Sequence, residues 1–123
     1  MGGSCYLINH DKLTWEEARE NCKDVDADLA SITGTNDQSY ITALVKSMTG
    51  SSSYWTGGND LDQESGWKWS DGSPFAYFYW ADGEPNDAGG EEWCIEVETG
   101  KDAKWNDHHC TEPRASICKK SGV

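Results

Sequence analysis

Apolar residues recur at helical spacing in two places near the start of the chain. Trp15, Ala18 and Cys22 stand at i, i+3 and i+7, behind the opening Thr14-Trp15-Glu16-Glu17. That opening has the form of a capping box, in which Thr14 accepts from a first-turn N–H and Glu17 reaches back. The pattern predicts a helix with one buried stripe. A second helix is expected from about Thr35, with Gln38 as capping partner and Ile41, Leu44, Val45 and Met48 on its apolar face. Gly50 and the serines after it end it. Between the two, Asp28-Leu29-Ala30-Ser31-Ile32 reads as a short connection or strand with apolar residues facing in. Past residue 53 the helical spacing gives way to short aromatic runs, Tyr54-Trp55, Gly66-Trp67-Lys68-Trp69 and Trp93 to Val97. Gly, Asn, Asp and Pro divide them, which is the texture of strands and irregular loops. From Asp60 to Gly90 there is little regular patterning, and its tryptophans, glycines and acids favour an ordered functional loop. The fold class expected is α+β, with the helices first and a strand-and-loop half after them.

A chain of 123 residues fits one domain. Its 22 Asp and Glu against 10 Lys and Arg give a net charge of −12. Such a balance argues against nucleic acid, whose binding draws on clustered positive charge, and against an anionic membrane surface. No apolar run is long enough to span a membrane. Met1-Gly2-Gly3-Ser4 lacks the charged and apolar parts of a signal peptide and reads as the start of an excised segment, leaving residues 5–120 as the domain. Five cysteines and seven tryptophans in so short a chain, with no Cys-x-x-Cys pair, point to an oxidised, secreted domain stapled by disulfides. Spacing alone does not choose a connectivity. Cys5 is read as having lost a partner upstream, with an intermolecular bridge as the second reading.

Three polar pieces carry candidate chemistry: Glu84-Pro85-Asn86-Asp87, Glu91-Glu92 beside Cys94, and Trp105-Asn106-Asp107 beside Cys110. Carboxylate and amide oxygens are hard donors suited to Ca²⁺, which takes about six to eight of them in flexible geometry. The histidines do not show zinc spacing.

In this order the residues resemble a C-type lectin-like domain over essentially the whole chain. The landmarks are Cys22, Trp55-Thr56-Gly57-Gly58, Trp67-Lys68-Trp69-Ser70-Asp71-Gly72, Trp80, Glu84-Pro85-Asn86, Cys94, Trp105-Asn106-Asp107, Cys110 and Cys118. The resemblance implies the C-type lectin-like fold, with two helices, short antiparallel strands and a long calcium-binding loop. It implies Cys22–Cys118 and Cys94–Cys110 bridges and an extracellular setting, secreted or as a receptor ectodomain. It also implies a sugar-binding calcium ion held by Glu84, Asn86, Glu92, Asn106 and Asp107, with the Asp107 backbone carbonyl as a further ligand. Two neighbouring sugar hydroxyls would complete that site, each donating to Glu84 or Glu92 and accepting from the amide of Asn86 or Asn106. The acid-Pro-amide order resembles mannose-type sites, which take mannose, fucose, N-acetylglucosamine or glucose; galactose-type relatives carry Gln-Pro-Asp there. An auxiliary calcium site of some relatives maps onto Asp60, Glu64 and Asp87, but Trp93 stands where an acid is expected. Gly58 likewise stands where a larger aliphatic residue is common.

The expected function is calcium-dependent binding of glycans or glycoproteins, with homo-oligomers or tandem domains supplying avidity. The alternative is a protein- or ice-binding domain on the same scaffold. Relatives of that kind usually lose some of the five ligands, and all five are present here. Enzyme activity is not expected, because no nucleophile motif accompanies His108, His109 or Asp107. Trp55, Trp67, Trp69, Trp80 and Trp105 are expected in the core, and Trp93 with them. His108 and His109, adjacent on a strand, are expected to face opposite ways in solvated or supporting roles. Tyr77, Phe78 and Tyr79 are expected to pack under the long loop.

Overall fold

The computed structural model describes residues 3–47, 53–60, 67–80, 93–99 and 103–122. In chain order its elements are β1 (Gly3–Leu13), α1 (Trp15–Lys23), β2 (Asp28–Leu29), α2 (Thr35–Ser47), β3 (Ser53–Asn59), β4 (Lys68–Trp69), β5 (Cys94–Glu98), β6 (Lys104–His108) and β7 (Arg114–Gly122). The class is α+β, but the chain opens on a strand and not on a helix. β1 pairs antiparallel with β7, setting Tyr6 opposite Lys119 and Ile8 opposite Ile117. Tyr6 and Ile8 pack against the core while Cys5 and Leu7 lie exposed, and the stretch after Ile8 is polar up to Leu13. So short an alternation is a weak local signal; the long-range ladder with β7 stabilises the strand.

Both helices form where the spacing places them. Thr14 Oγ1 accepts from Glu17 N–H, and the Glu17 carboxylate accepts from Thr14 N–H, completing the capping box of α1. The buried stripe is Trp15, Ala18 and Cys22. α2 starts at Thr35, but Gln38 is not its cap. Asp37 Oδ2 takes the N–H and hydroxyl of Thr33 ahead of the helix, whereas Gln38 is buried. Its Nε2 donates to the Ala103 carbonyl and its Oε1 accepts from Trp105 Nε1. Ile41 and Val45 complete the buried face and Leu44 is half-buried; Met48 and Gly50 lie outside the described residues. No described helix is long and apolar enough to cross a membrane.

The sheet runs β1-β7-β3-β5-β6, with β2 on β7 and β4 on β3. Its pairs are antiparallel except β3 with β7, so the sheet is mixed where antiparallel strands were expected. One core gathers Ile32, Ile41, Val45, Tyr54, Trp105 and Ile117. The other packs Trp15, Ala18, Leu29 and Trp55 around Cys22, Cys94 and Cys118. The bridges Cys22–Cys118 and Cys94–Cys110 are both formed, with Cα–Cα distances of 5.5 and 5.3 Å, and Cys5 is a free, exposed thiol. Gly58 has a packing reason. A Cβ there would lie 2.3 Å from Ile95 Cδ1, so the volume of a larger side chain is already filled from β5.

Candidate functional site

β5 and β6 frame the site. Their register sets Cys94 opposite His108, Ile95 opposite Asp107, and Glu96 opposite Asn106. The Cys94–Cys110 bridge closes one end of this ladder. Trp15, at the start of α1, gives its otherwise unpaired first-turn N–H to the Cys110 carbonyl at 2.9 Å. The turn after β6 is therefore fastened to both β5 and α1. Strand alternation then divides the two candidate ligands on β6: Asp107 is fully buried, as is Trp105, while Asn106 is half-buried.

Beside Asn106 lies a charged group that the sequence reading did not single out. Glu96 is 1% exposed. Its Oε2 accepts from Asn106 Nδ2 at 3.1 Å, and its Oε1 accepts from Arg114 Nε at 3.1 Å. Burial pushes the Glu96 carboxyl up from its ordinary range, and the Asn106 donor, His108 and Arg114 oppose that shift. Both oxygens receive N–H donors, which is the bonding of a carboxylate. A carboxylate only accepts, so the Asn106 amide must turn its nitrogen to Glu96 and present its Oδ1 on the opposite branch. The available signal was a lone charge in the buried run Cys94-Ile95-Glu96-Val97, and its partner Arg114 is far enough along the chain that no local pattern joins them.

The two histidines do not face opposite ways. β6 ends at His108, so alternation stops there, and the rings meet with centroids 5.8 Å apart. His109 N–H donates to His108 Nδ1 at 2.9 Å. Arg114 Nη2 lies 3.3 Å from His108 Nε2. His108 thus touches Arg114, the partner of Glu96.

A strap of chain covers the outer edge of β6. Along residues 73–79 exposure alternates: Phe75, Tyr77 and Tyr79 turn in while Pro74, Ala76 and Phe78 turn out. Phe78 is 57% exposed and does not pack as expected. Trp105 sits among Trp69, Phe75, Tyr77 and Trp80, at centroid distances of 5.3, 5.8, 6.0 and 5.6 Å. Its N–H donates to the Tyr79 carbonyl at 2.9 Å, and Trp80 forms a bridge to it, so the last strand of the sheet has no bare edge at this point. Trp55, Trp69 and Trp105 are core residues; Trp67 and Trp80 pack partly buried against the core, and Trp93 is half-buried.

Asp60 N–H donates to the Trp93 carbonyl at 2.8 Å, which ties the end of β3 to the entry of β5. The structure thus brings Asn106 and Glu96 together, turns the neighbouring Asp107 to the buried face of β6, and sets Asp60 beside Trp93. Glu64, Glu84, Asn86, Asp87 and Glu92 lie outside the described residues. Among the described residues no group of three or more His, Cys, Asp or Glu is arranged to hold a metal ion.

A sequence model of the lectin C-type domain matches residues 11–120. Over 119 residues the chain is 43% identical to C-type mannose receptor 2 of Mus musculus, covering 95% of this chain but 8% of the receptor. The chain therefore spans a small part of that relative's length. Among solved structures, the cow C-type carbohydrate-recognition domain of CD23, determined in the presence of a GlcNAc2Man3 oligosaccharide, superposes with a TM-score of 0.86. The two are 31% identical, over 98% of this chain and 89% of that one. A calcium-independent type II antifreeze protein superposes with a TM-score of 0.85 at 30% identity, over 98% of this chain and 88% of that one.

Proposed function

Because the chain belongs to the C-type lectin domain family, we propose that it binds mannose-type glycans through a calcium ion held by Glu84, Asn86, Glu92, Asn106 and Asp107. One observation carries the reading: Glu96 takes an N–H of Asn106, which leaves the amide oxygen, the hard donor a calcium site needs, on the other branch of that side chain. Calcium, when bound, supplies a positive centre on which two vicinal hydroxyls displace water. The chain's residues do the recognition. Each hydroxyl donates to a carboxylate, Glu84 or Glu92, and accepts from an amide N–H of Asn86 or Asn106. Asn106 has two N–H bonds, of which Glu96 takes one, so the other remains for the sugar.

Support also comes from the tethers of the segment that carries the other ligands. Trp80 is bridged to Trp105 on β6, and Trp93 is held by Asp60 at the start of β5. Asp60, with Glu64 and Asp87, is proposed as an auxiliary calcium site, with Trp93 replacing the acid such a site usually includes. The domain is extracellular, in keeping with its two bridges and with receptor and lectin relatives. Residues 5–120 are proposed as the functional unit, and its partners are glycans or glycoproteins bound with useful avidity by several copies.

The test is retention on immobilised mannose in calcium, release by EDTA, and competition by free mannose but not by galactose. Retention that survives EDTA, or galactose competing as well as mannose, rejects the reading. The calcium-independent antifreeze neighbour favours one second reading, a protein- or ice-binding surface on the same scaffold. Thermal hysteresis in EDTA without any sugar binding would establish it.

A further inference from the structure

The ion pair of buried Glu96 with half-buried Arg114 has no role in the donor set just described, yet Glu96 contacts one member of that set. Glu96 lies opposite Asn106 in the β5–β6 ladder and is 1% exposed, with Asn106 Nδ2 on one oxygen and Arg114 Nε on the other. An asparagine amide has two nearly isosteric ends, and a metal needs only the oxygen. Left to itself the side chain would offer calcium either end.

We propose that Glu96 is a positioning residue that raises calcium affinity by locking the Asn106 amide with its oxygen toward the metal, and that Arg114, bonded to the other oxygen, holds Glu96 in place. This rests on the calcium-lectin reading above. Arg114 is a donor in every state and the charged bond is the stronger one. It therefore claims one end of whatever stands at position 96 and dictates what the other end shows to Asn106. With a carboxylate that other end accepts, and the Asn106 oxygen is left for the metal. With a glutamine, the oxygen goes to Arg114 and the Nε2 faces Asn106, which must turn its own oxygen inward. Outer partners of metal ligands typically change metal affinity by about 10–100-fold.

The test is a calcium titration by isothermal calorimetry on the whole chain and on E96Q, N106D and the double variant. Glu96→Gln should weaken calcium about tenfold, at the low end of that range. In the Asn106→Asp background the two oxygens at 106 need no orienting and face an acceptor-only carboxylate, so the same change, which supplies a donor there, should not weaken calcium. An equal loss in both backgrounds would mean that Glu96 acts only by its charge or by supporting the fold, and it overturns the proposal. A second measurement uses the unaltered protein and does not depend on any variant folding: the Asn106 side-chain N–H facing Glu96 should keep its hydrogen-bonded NMR shift when calcium is added to EDTA-treated protein. Its loss on loading overturns the proposal as well. Unaltered protein that binds no calcium sinks the lectin reading itself; normal calcium binding with an unaffected E96Q sinks only the role of Glu96.

Discussion

Gly58→Ala is a one-methyl test of how β3 and β5 are pressed together beside the site. An ideal Cβ would lie 2.3 Å from Ile95 Cδ1, 2.8 Å from its Cγ1 and 2.9 Å from its Cβ. Carbon pairs settle at about 3.5–4.0 Å, so all three contacts are too short. Cδ1 could swing aside, but Cβ is fixed to the backbone of β5, and Ile95 is fully buried with no solvent to move into. Overpacking of this kind costs about 1–3 kcal/mol. Against it, alanine restricts the unfolded chain and returns about 0.4–1 kcal/mol. The net expectation is a destabilisation of about 1–2 kcal/mol, or about 3–5 °C in melting midpoint per kcal/mol for a domain of this size. Urea unfolding followed by tryptophan fluorescence, with both bridges intact, measures it as a lower midpoint at unchanged slope. Ile95→Val removes Cδ1, the nearest atom, and alone should cost about 0.5–1.5 kcal/mol. Made in the Gly58→Ala protein it should cost less than that, because part of the clash leaves with the methyl. A Gly58→Ala protein as stable as the parent, or strictly additive effects in the pair, would refute the reasoning.

If Asn106 is the proposed ligand, Asn106→Ala should abolish retention on mannose, and because it also removes a donor from the buried Glu96 it should lower stability in EDTA by about 1–3 kcal/mol; retention at normal affinity counts against its assignment. Replacing both cysteines of the 96-residue loop by alanine should cost about 4.7 kcal/mol, and both of the 16-residue loop about 3 kcal/mol, on chain-entropy grounds. Urea midpoints of the two variants in the reverse order would contradict that ranking. Burial pushes the Asp37 carboxyl up, but the Thr33 donors and Lys119 outweigh it and hold the group below its ordinary value. A group depressed in the folded state stabilises above its unfolded pKa and loses that contribution as pH falls through the folded value. Asp37→Asn should therefore narrow the stability gap between neutral and acid pH, and parallel pH profiles for the two proteins would argue against the linkage.

What was legible in the sequence was local. The capping box Thr14–Glu17 and the stripe Trp15, Ala18, Cys22 are written within one or two helical turns, and the structure contains them as read. β1 was not legible, because its order comes from β7, with Gly3 facing Gly122 at the far end of the chain. Gln38 fails for the same reason. At helical spacing a polar residue reads as a cap, but this amide is buried between the Ala103 carbonyl and Trp105 Nε1, both far along the chain. In the site, Trp105-Asn106-Asp107 is recognisable as a motif, whereas Glu96 acquires meaning only once the ladder sets it opposite Asn106 and β7 delivers Arg114. Phe78 shows the limit of composition: three consecutive aromatics read as one packed patch, and the extended backbone turns the middle one outward.

The frame and the chemistry of this domain are separable, and the neighbours show why that matters. A carbohydrate-recognition domain and a calcium-independent antifreeze protein superpose on this chain almost equally well, at TM-scores of 0.86 and 0.85. The parts that hold β6 in place here are a disulfide to Cys94, a backbone bond from Trp15 and a cage of rings around Trp105. None of these involves a metal ligand, so the fold can persist in a relative whatever becomes of the donors. Selection for sugar binding therefore acts on a few side chains mounted on a frame that stands without them. In this chain the proposed donors among the described residues are Asn106 and Asp107, on the strand whose outer edge the Tyr79–Trp80 strap covers. On the proposed reading, the orientation of a single amide by Glu96 separates a site that presents an oxygen to calcium from one that presents a nitrogen and repels it.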